Sequence, residues 1–332
     1  MRARPFASWR TVAAALLAAA AACAASVACS SFDASGTDEQ PGTEAGTNAP
    51  DAAAESASPD GGATQDAAPE ASCDLDASWG PAVQIVASGL GGDTHATLSE
   101  DELTIFFDRL IPAPSRQAIF TAQRPNVRTT FNDASEVSFS GTTDSEDPAL
   151  ALDGLSLAFV SNRISPTDYD LWLVTRPSVT SAFLNPVHLA AVSSLSKERN
   201  PSFAPNGDLW FASDRGPALF DIYRAPRVDG GYEMAAVEAP FTSPANDVAP
   251  VHSRDGLTVL FGSDRPGGKG QSDIWMSTRA STADVFGEPT NVSSINTPTG
   301  ELPVWLSRDS CRLYLSSDRG GGFRIYVSSR GN

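Results

Sequence analysis

Five stretches of this sequence are variations on one theme: DTHATLSEDELTIFFDR, EDPALALDGLSLAFVSNR, ERNPSFAPNGDLWFASDR, NDVAPVHSRDGLTVLFGSDR and GELPVWLSRDSCRLYLSSDR. Their closing arginines, Arg109, Arg163, Arg215, Arg265 and Arg319, stand 54, 52, 50 and 54 residues apart. A near-constant period of this length constrains the fold more tightly than composition does, because each unit buries its apolar surface only by packing against copies of itself.

Within a unit, a first short strand turns at Asp153, Asn206 or Asp255, each followed by glycine, and returns as an apolar strand. Asp101-Glu102 and Asp309-Ser310 hold the same place with poorer turn chemistry. A third strand ends at Arg124, Arg176, Arg227, Arg279 or Arg330, and a fourth opens on an aromatic, Trp79, Phe131, Phe183, Tyr232 or Phe286. Four of these five aromatic-led strands follow a three-strand group, whereas Trp79 precedes the first group and no fourth strand follows the last. Four strands in about fifty residues, with the missing one at the other end of the repeat array, predict an all-β chain folded as a β-propeller. Five four-stranded blades are expected, with six as the alternative, and residues 79–86 are expected to pair with residues 323–329 and close the ring.

The unit APVHSRDGLTVLFGSDR, followed by SDIWMSTR, resembles the TolB-like, WD-like propeller repeat: an acid and a proline, Ser-x-Asp-Gly, an apolar strand ending Ser-Asp-Arg, then Asp-Ile-Tyr. The resemblance covers residues 79–330 and implies a propeller. Asn162 replaces the aspartate of the closing triplet in the second unit, and Phe107 stands where the first unit would carry its serine. The family's namesake has six blades, so its role in envelope integrity is not implied by the repeat alone.

Residues 1–72 have a different character. Arg2, Arg4 and Arg10 precede an alanine-rich apolar run, the build of a secretory signal. The run ends in SVAC-Ser-Ser, which resembles a bacterial lipoprotein processing site with Cys29 as the lipidated residue and Cys23 as a rival. Residues 30–72 hold nine acids and no lysine, arginine or histidine, and read as a disordered tether. The expected division is therefore a signal at 1–29, a tether at 30–72 and a propeller at 73–332, exported and lipid-anchored in the bacterial envelope, periplasm or outer membrane. The net charge is −17, and without the leader's three arginines and the tether's nine acids the propeller keeps −11, which excludes nucleic acid as a partner. Export leaves Cys73 and Cys311 beside the anchor, and both fall on one side of the last blade, so a disulfide between them is expected.

DRGGG and DRPGGKG precede no helix and are turns, not phosphate cradles. His95, His188 and His252 fall at different places in the repeat, no Cys or His lies at ligand spacing from them, and no nucleophile elbow is present, so neither a metal site nor catalytic residues are expected. The remaining candidates are the acids that precede each first strand: Asp93, Glu146, Asp147, Glu198, Asp247 and Glu301. In a propeller, first strands line the central channel, so these acids would ring one mouth and attract a cation such as calcium or a basic group. Against this, Glu146, Glu198 and Glu301 would lie near Arg163, Arg215 and Arg319 of their own units as a structural belt. Asp93 and Asp247, with irregular surroundings, are the members expected to break from that belt. The expected function is a monomeric, non-catalytic binding or scaffold module for an envelope protein, peptide or glycan, without cofactor. The alternative is a glycan-acting hydrolase using carboxylates at the channel mouth.

Overall fold

The computed structural model describes residues 73–87, 92–217 and 219–331. The signal, the tether and Cys29 lie outside the described residues. Within them the chain forms five four-stranded antiparallel sheets in a ring, and no helix. Blade 1 comprises Asp93–Leu98, Thr104–Pro112, Ser115–Gln123 and Asn132–Glu136. Blade 2 follows with Ser145–Leu150, Ser156–Ser165, Asp168–Thr175 and Val187–His188. Blade 3 holds Glu198–Phe203, Leu209–Ser213, Asp221–Ala225 and Ala236–Val237, and blade 4 Asp247–His252, Thr258–Ser263, Asp273–Thr278 and Thr290–Asn291. Blade 5 takes Glu301–Leu306, Arg312–Ser317 and Arg324–Ser329 from the end of the chain and its outer strand, Val83–Gln84, from the beginning. Val83 pairs with Val327, Gln84 with Tyr326, and Trp79 bridges to Arg330. The first strand of each blade is innermost and packs on the inner strands of both neighbours.

The second strands read as continuous apolar runs because both their faces are covered. Successive side chains point to opposite faces, and in each blade the two faces meet different neighbours. Phe106 joins Leu157 and Phe159 between blades 1 and 2; Phe107 joins Tyr314 and Ile325 between blades 1 and 5. Ala158 and Val160 meet Leu209 and Phe211, Trp210 meets Val259 and Phe261, and Leu260 meets Leu313 and Leu315. The core is thus five interblade layers, one at each junction.

The fourth-strand aromatics serve the arginines that end the third strands. Arg124 lies over Phe131 at 4.4 Å, Arg176 over Phe183 at 4.5 Å, Arg227 over Tyr232 at 5.3 Å, Arg279 over Phe286 at 4.3 Å and Arg330 over Trp79 at 4.5 Å. Three of these arginines also donate Nε to the turn between first and second strands, at the carbonyls of Glu102, Gly154 and Gly256. The outer strands themselves are short, four of the five having two residues. Prolines at 81, 186 and 289 remove ladder donors there. The aromatic adjoins the outer strand only in blade 1; in blades 2 to 5 the strand starts four residues later, at Val187, Ala236, Thr290 and Val83. In blade 3 Tyr232 instead pairs with Arg227 in a small extra hairpin turned at Asp229-Gly230.

One register departs from the sequence reading. In blades 2 to 5 the serine of the closing triplet, Ser161, Ser213, Ser263 or Ser317, faces the first inner-strand residue. In blade 1 Arg109 itself faces Asp93, so FFDR is displaced by two residues from the triplet it resembles. Phe107 then takes the place of Phe159, Phe211 and Phe261, and Asp108 the place of Val160, Ala212, Gly262 and Ser316.

Candidate functional site

Four of the six candidate acids, Asp93, Glu198, Asp247 and Glu301, begin their inner strands and are fully buried. Each meets the closing arginine of its own blade: Arg109 Nε lies 2.6 Å from Asp93, Arg215 Nη2 2.7 Å from Glu198, Arg265 Nη2 2.7 Å from Asp247 and Arg319 Nη2 3.4 Å from Glu301. Hydroxyls complete the enclosure, from Ser194 and Ser213 to Glu198, Ser243 to Asp247, and Thr297, Thr299 and Ser317 to Glu301. Burial pushes the Glu198 carboxyl above its ordinary value, and the Ser194 and Arg215 hydrogen bonds partly offset it. These four carboxylates are committed to their blades and present no charged ring to the channel, Asp93 and Asp247 no less than the others.

Blade 2 differs. Its belt position is filled by Ser145, opposite Ser161, and Glu146 is one residue further on. Glu146 therefore does not meet Arg163, whose guanidinium contacts Ser145 Oγ, Ser161 Oγ and the Phe139 and Ser140 carbonyls. It reaches across the junction to Arg199 of blade 3, 2.8 Å from Nη1, and Arg199 also stacks 4.1 Å over Tyr169.

Each inner strand carries a bulge in its middle. The third residues of the first four inner strands, His95, Asp147, Asn200 and Ala249, have positive φ (28°, 55°, 48° and 53°) and line the channel together with Pro303 of blade 5. Because four blades share the conformation, it belongs to the repeat; what distinguishes the blades is the side chain each presents. Three adjacent ones are polar. His95 Nδ1 lies 2.8 Å from Asp147 Oδ1 and 3.2 Å from Asp108 Oδ1. The other oxygens are held from outside, Asp108 Oδ2 by the Thr94 hydroxyl at 2.5 Å and Asp147 Oδ2 by the Asn200 backbone N–H at 3.0 Å.

The charges in this group are sorted by their surroundings. Burial lowers the imidazole pKa of His95, but Asp147 and Asp108 more than offset it and hold it well above the ordinary value. Burial would raise Asp147, yet His95 and Arg199 bring it down to about 2. Glu146 goes the other way: burial, aided by Asp147 and Asp108, pushes it up to about 7 against the pull of Arg199. Of the expected site residues, only Glu146 and Asp147 thus come together. Asp108, His95 and Arg199 complete the group, and metal spacing along the sequence misses them because they come from three different strands.

A cavity of about 80 Å³ occupies the channel from these third residues to the turns that follow the inner strands. Its walls carry Pro148, Pro201 and Pro250 with Phe203 and Trp305, and its rim carries Glu100, Arg254 and Arg308. Arg254 and Arg308 are exposed. The opening therefore lies at the turn end of the inner strands, opposite the end where the buried acids sit. His252 is in the wall with neither ring nitrogen hydrogen-bonded, its ring 4.6 Å from that of Trp210, and burial holds its pKa down at about 3. Away from the channel, the Cys73 and Cys311 sulfurs are bonded to each other, joining the segment before the closing strand to a turn of blade 5.

No protein-family model matches the chain, and comparison with curated proteins returns no match. Solved structures do. TolB from Acinetobacter baumannii aligns at 16% identity with a TM-score of 0.47, over 74% of this chain and 57% of that one. Zg3597, a family 117 glycoside hydrolase from the marine bacterium Zobellia galactanivorans, aligns at 10% identity with a TM-score of 0.50, over 76% and 90%. A puromycin-hydrolyzing peptidase of Mycobacterium tuberculosis aligns at 16% identity with a TM-score of 0.41, over 77% and 39%. The chain spans a little over half the length of the Acinetobacter TolB. At these identities the likeness concerns the propeller fold, which carries both binding proteins and enzymes.

Proposed function

We propose that this chain is a non-catalytic binding module of the cell envelope, whose channel receives a protein segment, peptide or glycan through the turn-side mouth. The observation that carries this reading is the disposition of charge. The repeated acids are buried in own-blade ion pairs, whereas the opening at the other end combines an apolar, proline-lined wall with Trp305, Phe203 and the exposed Arg254 and Arg308. Aromatic and arginine side chains around a small concave opening are the composition of a recognition surface. A TolB-like propeller that engages an envelope protein is the form of this proposal we favour.

The hydrolase alternative has one observation in its favour. Glu146 and Asp147 are neighbours whose proton affinities are driven apart, the pattern of an acid and a base. Glu146 does not line the cavity, however, and is tied to Arg199. A panel of glycan and peptide substrates should therefore be left intact, while capture from envelope extracts should weaken when Arg254→Glu and Arg308→Glu are combined. Turnover that is lost in Glu146→Gln would favour the hydrolase.

Export and anchoring rest on the charged start, the apolar run and the VACSS site of the sequence. Incorporation of a palmitate analogue should be lost in Cys29→Ala, and incorporation that survives it would remove the anchor from the proposal.

A further inference from the structure

We propose that His95 Nδ1, Asp108 Oδ1 and Asp147 Oδ1 bind one divalent transition-metal cation, zinc or manganese, on the floor of the channel. These three atoms lie within 4.8 Å of one another. Ligands about 2.0–2.2 Å from a common ion are about 3–3.5 Å apart, and the 2.8 and 3.2 Å separations around the imidazole nitrogen are close to that spacing. Hydrogen bonding alone does not account for the arrangement. Nδ1 carries at most one hydrogen, yet two carboxylate oxygens crowd it. Asp147, with its side chain 2% exposed, turns its Oδ1 to within 2.8 Å of Nδ1, and this oxygen has no further hydrogen-bond partner. The imidazole is a positive partner that the two inward-facing oxygens share, and a divalent cation in its place would meet both charges at once.

The surroundings are those of a supported metal site. Thr94 and the Asn200 N–H hold the second oxygen of each carboxylate, which leaves the first oxygens directed at the imidazole. The ligands stand on strands, two in blade 1 and one in blade 2, where position is well fixed. Nothing in the repeat requires them, since the equivalent places hold Asn200, Ala249 and Pro303 on the inner strands and Val160, Ala212, Gly262 and Ser316 on the second strands. His95 and Asp147 line the cavity, which gives an ion a way in and room for water ligands. Calcium favours six to eight oxygens, so a nitrogen beside two carboxylates selects a first-row transition ion instead.

The inference stands independently of the partner reading, and its test uses the metal alone. The full chain, stripped with a chelator and dialysed, is titrated with zinc chloride and with manganese chloride by calorimetry, and bound metal is counted after equilibrium dialysis. We expect one ion per chain and a melting temperature that rises with ion concentration. His95→Gln and Asp147→Asn should each weaken binding at least tenfold, and Thr94→Val by about 10- to 100-fold. Manganese bound to the wild type should also show nitrogen hyperfine coupling from one histidine, a readout that needs no variant to fold. No saturable uptake by the wild type, affinity unchanged in the folded variants, or manganese without nitrogen coupling would each overturn the site.

Discussion

Glu102 of blade 1 and Arg312 of blade 5 form a two-pronged ion pair across the junction where the ring closes. Arg312 Nε lies 2.8 Å from Oε2 and Nη2 2.6 Å from Oε1, and the Tyr314 hydroxyl donates to the same carboxylate. Glu102 is buried and sits at φ 61°, where its counterparts in the second and fourth units are Gly154 and Gly256. The poor turn chemistry of Asp101-Glu102 is thus explained by what its side chain does for the neighbouring blade. Glu102→Ala leaves Arg312 and Tyr314 without this partner and should cost about 3–5 kcal/mol. Glu102→Gly relieves the backbone conformation yet loses the same pair, so it too should destabilise. Urea midpoints of the two variants test this, and a glycine variant as stable as wild type would contradict it.

The Cys73–Cys311 bond spans 238 residues of sequence. On the chain-entropy model a loop of that size stabilises by up to about 5 kcal/mol. Reductant should lower the urea midpoint of the wild type and leave that of a Cys73→Ala, Cys311→Ala protein unchanged. Equal response of the two proteins would show that the bond contributes nothing.

For the buried acids the expectation has reversed. Open ring members could be replaced without harm, but Asp247 and Glu198 are 0% exposed and paired, and neutralising either removes the charge that balances its arginine. Asp247→Asn and Glu198→Gln should each lose about 3–5 kcal/mol. Thermal melts check this, and variants that melt with the wild type would return these residues to the list of ligand candidates.

What could be read from the sequence was what the repeat enforces. Closure of the ring by the segment that follows Trp79, the four-strand unit and the own-blade pairs of Glu198 and Glu301 all follow from period and strand direction. Asp108 could not be placed, because DR closes the first unit as it closes the others and only pairing across the blade reveals the two-residue displacement. Glu146 was assigned to Arg163 for the same kind of reason: Ser145, one residue earlier, takes the belt position, and a one-residue step turns a side chain from one face to the other. The irregular surroundings of Asp93 reflect that displaced register, which sets Asp108 beside His95.

His252 makes stability depend on acid. Its pKa is about 3 in the folded protein, below the ordinary 6.5, because burial disfavours the charged ring. Between those values the unfolded chain binds a proton that the folded chain does not, so stability is complete above about pH 6.5 and falls as pH drops toward 3. By pH 4 the loss is on the order of a few kcal/mol. His252→Phe keeps a ring against Trp210 and removes this contribution, so its urea midpoint should decline less between pH 7 and 4 than that of the wild type. Identical declines would assign the acid sensitivity elsewhere.

The central claim is that a partner enters at the turn end of the channel and not at the end of the buried acids. A photo-crosslinking amino acid placed at Arg308, on the turn-side rim, is compared with one at Leu195, which is 99% exposed three residues before the buried Glu198. Both proteins are mixed with a bacterial envelope extract and irradiated. The account predicts a discrete adduct from position 308 that disappears when Trp305→Ala is added to the folded protein, and none from position 195. An adduct from position 195 alone, or one from position 308 indifferent to Trp305→Ala, would contradict it.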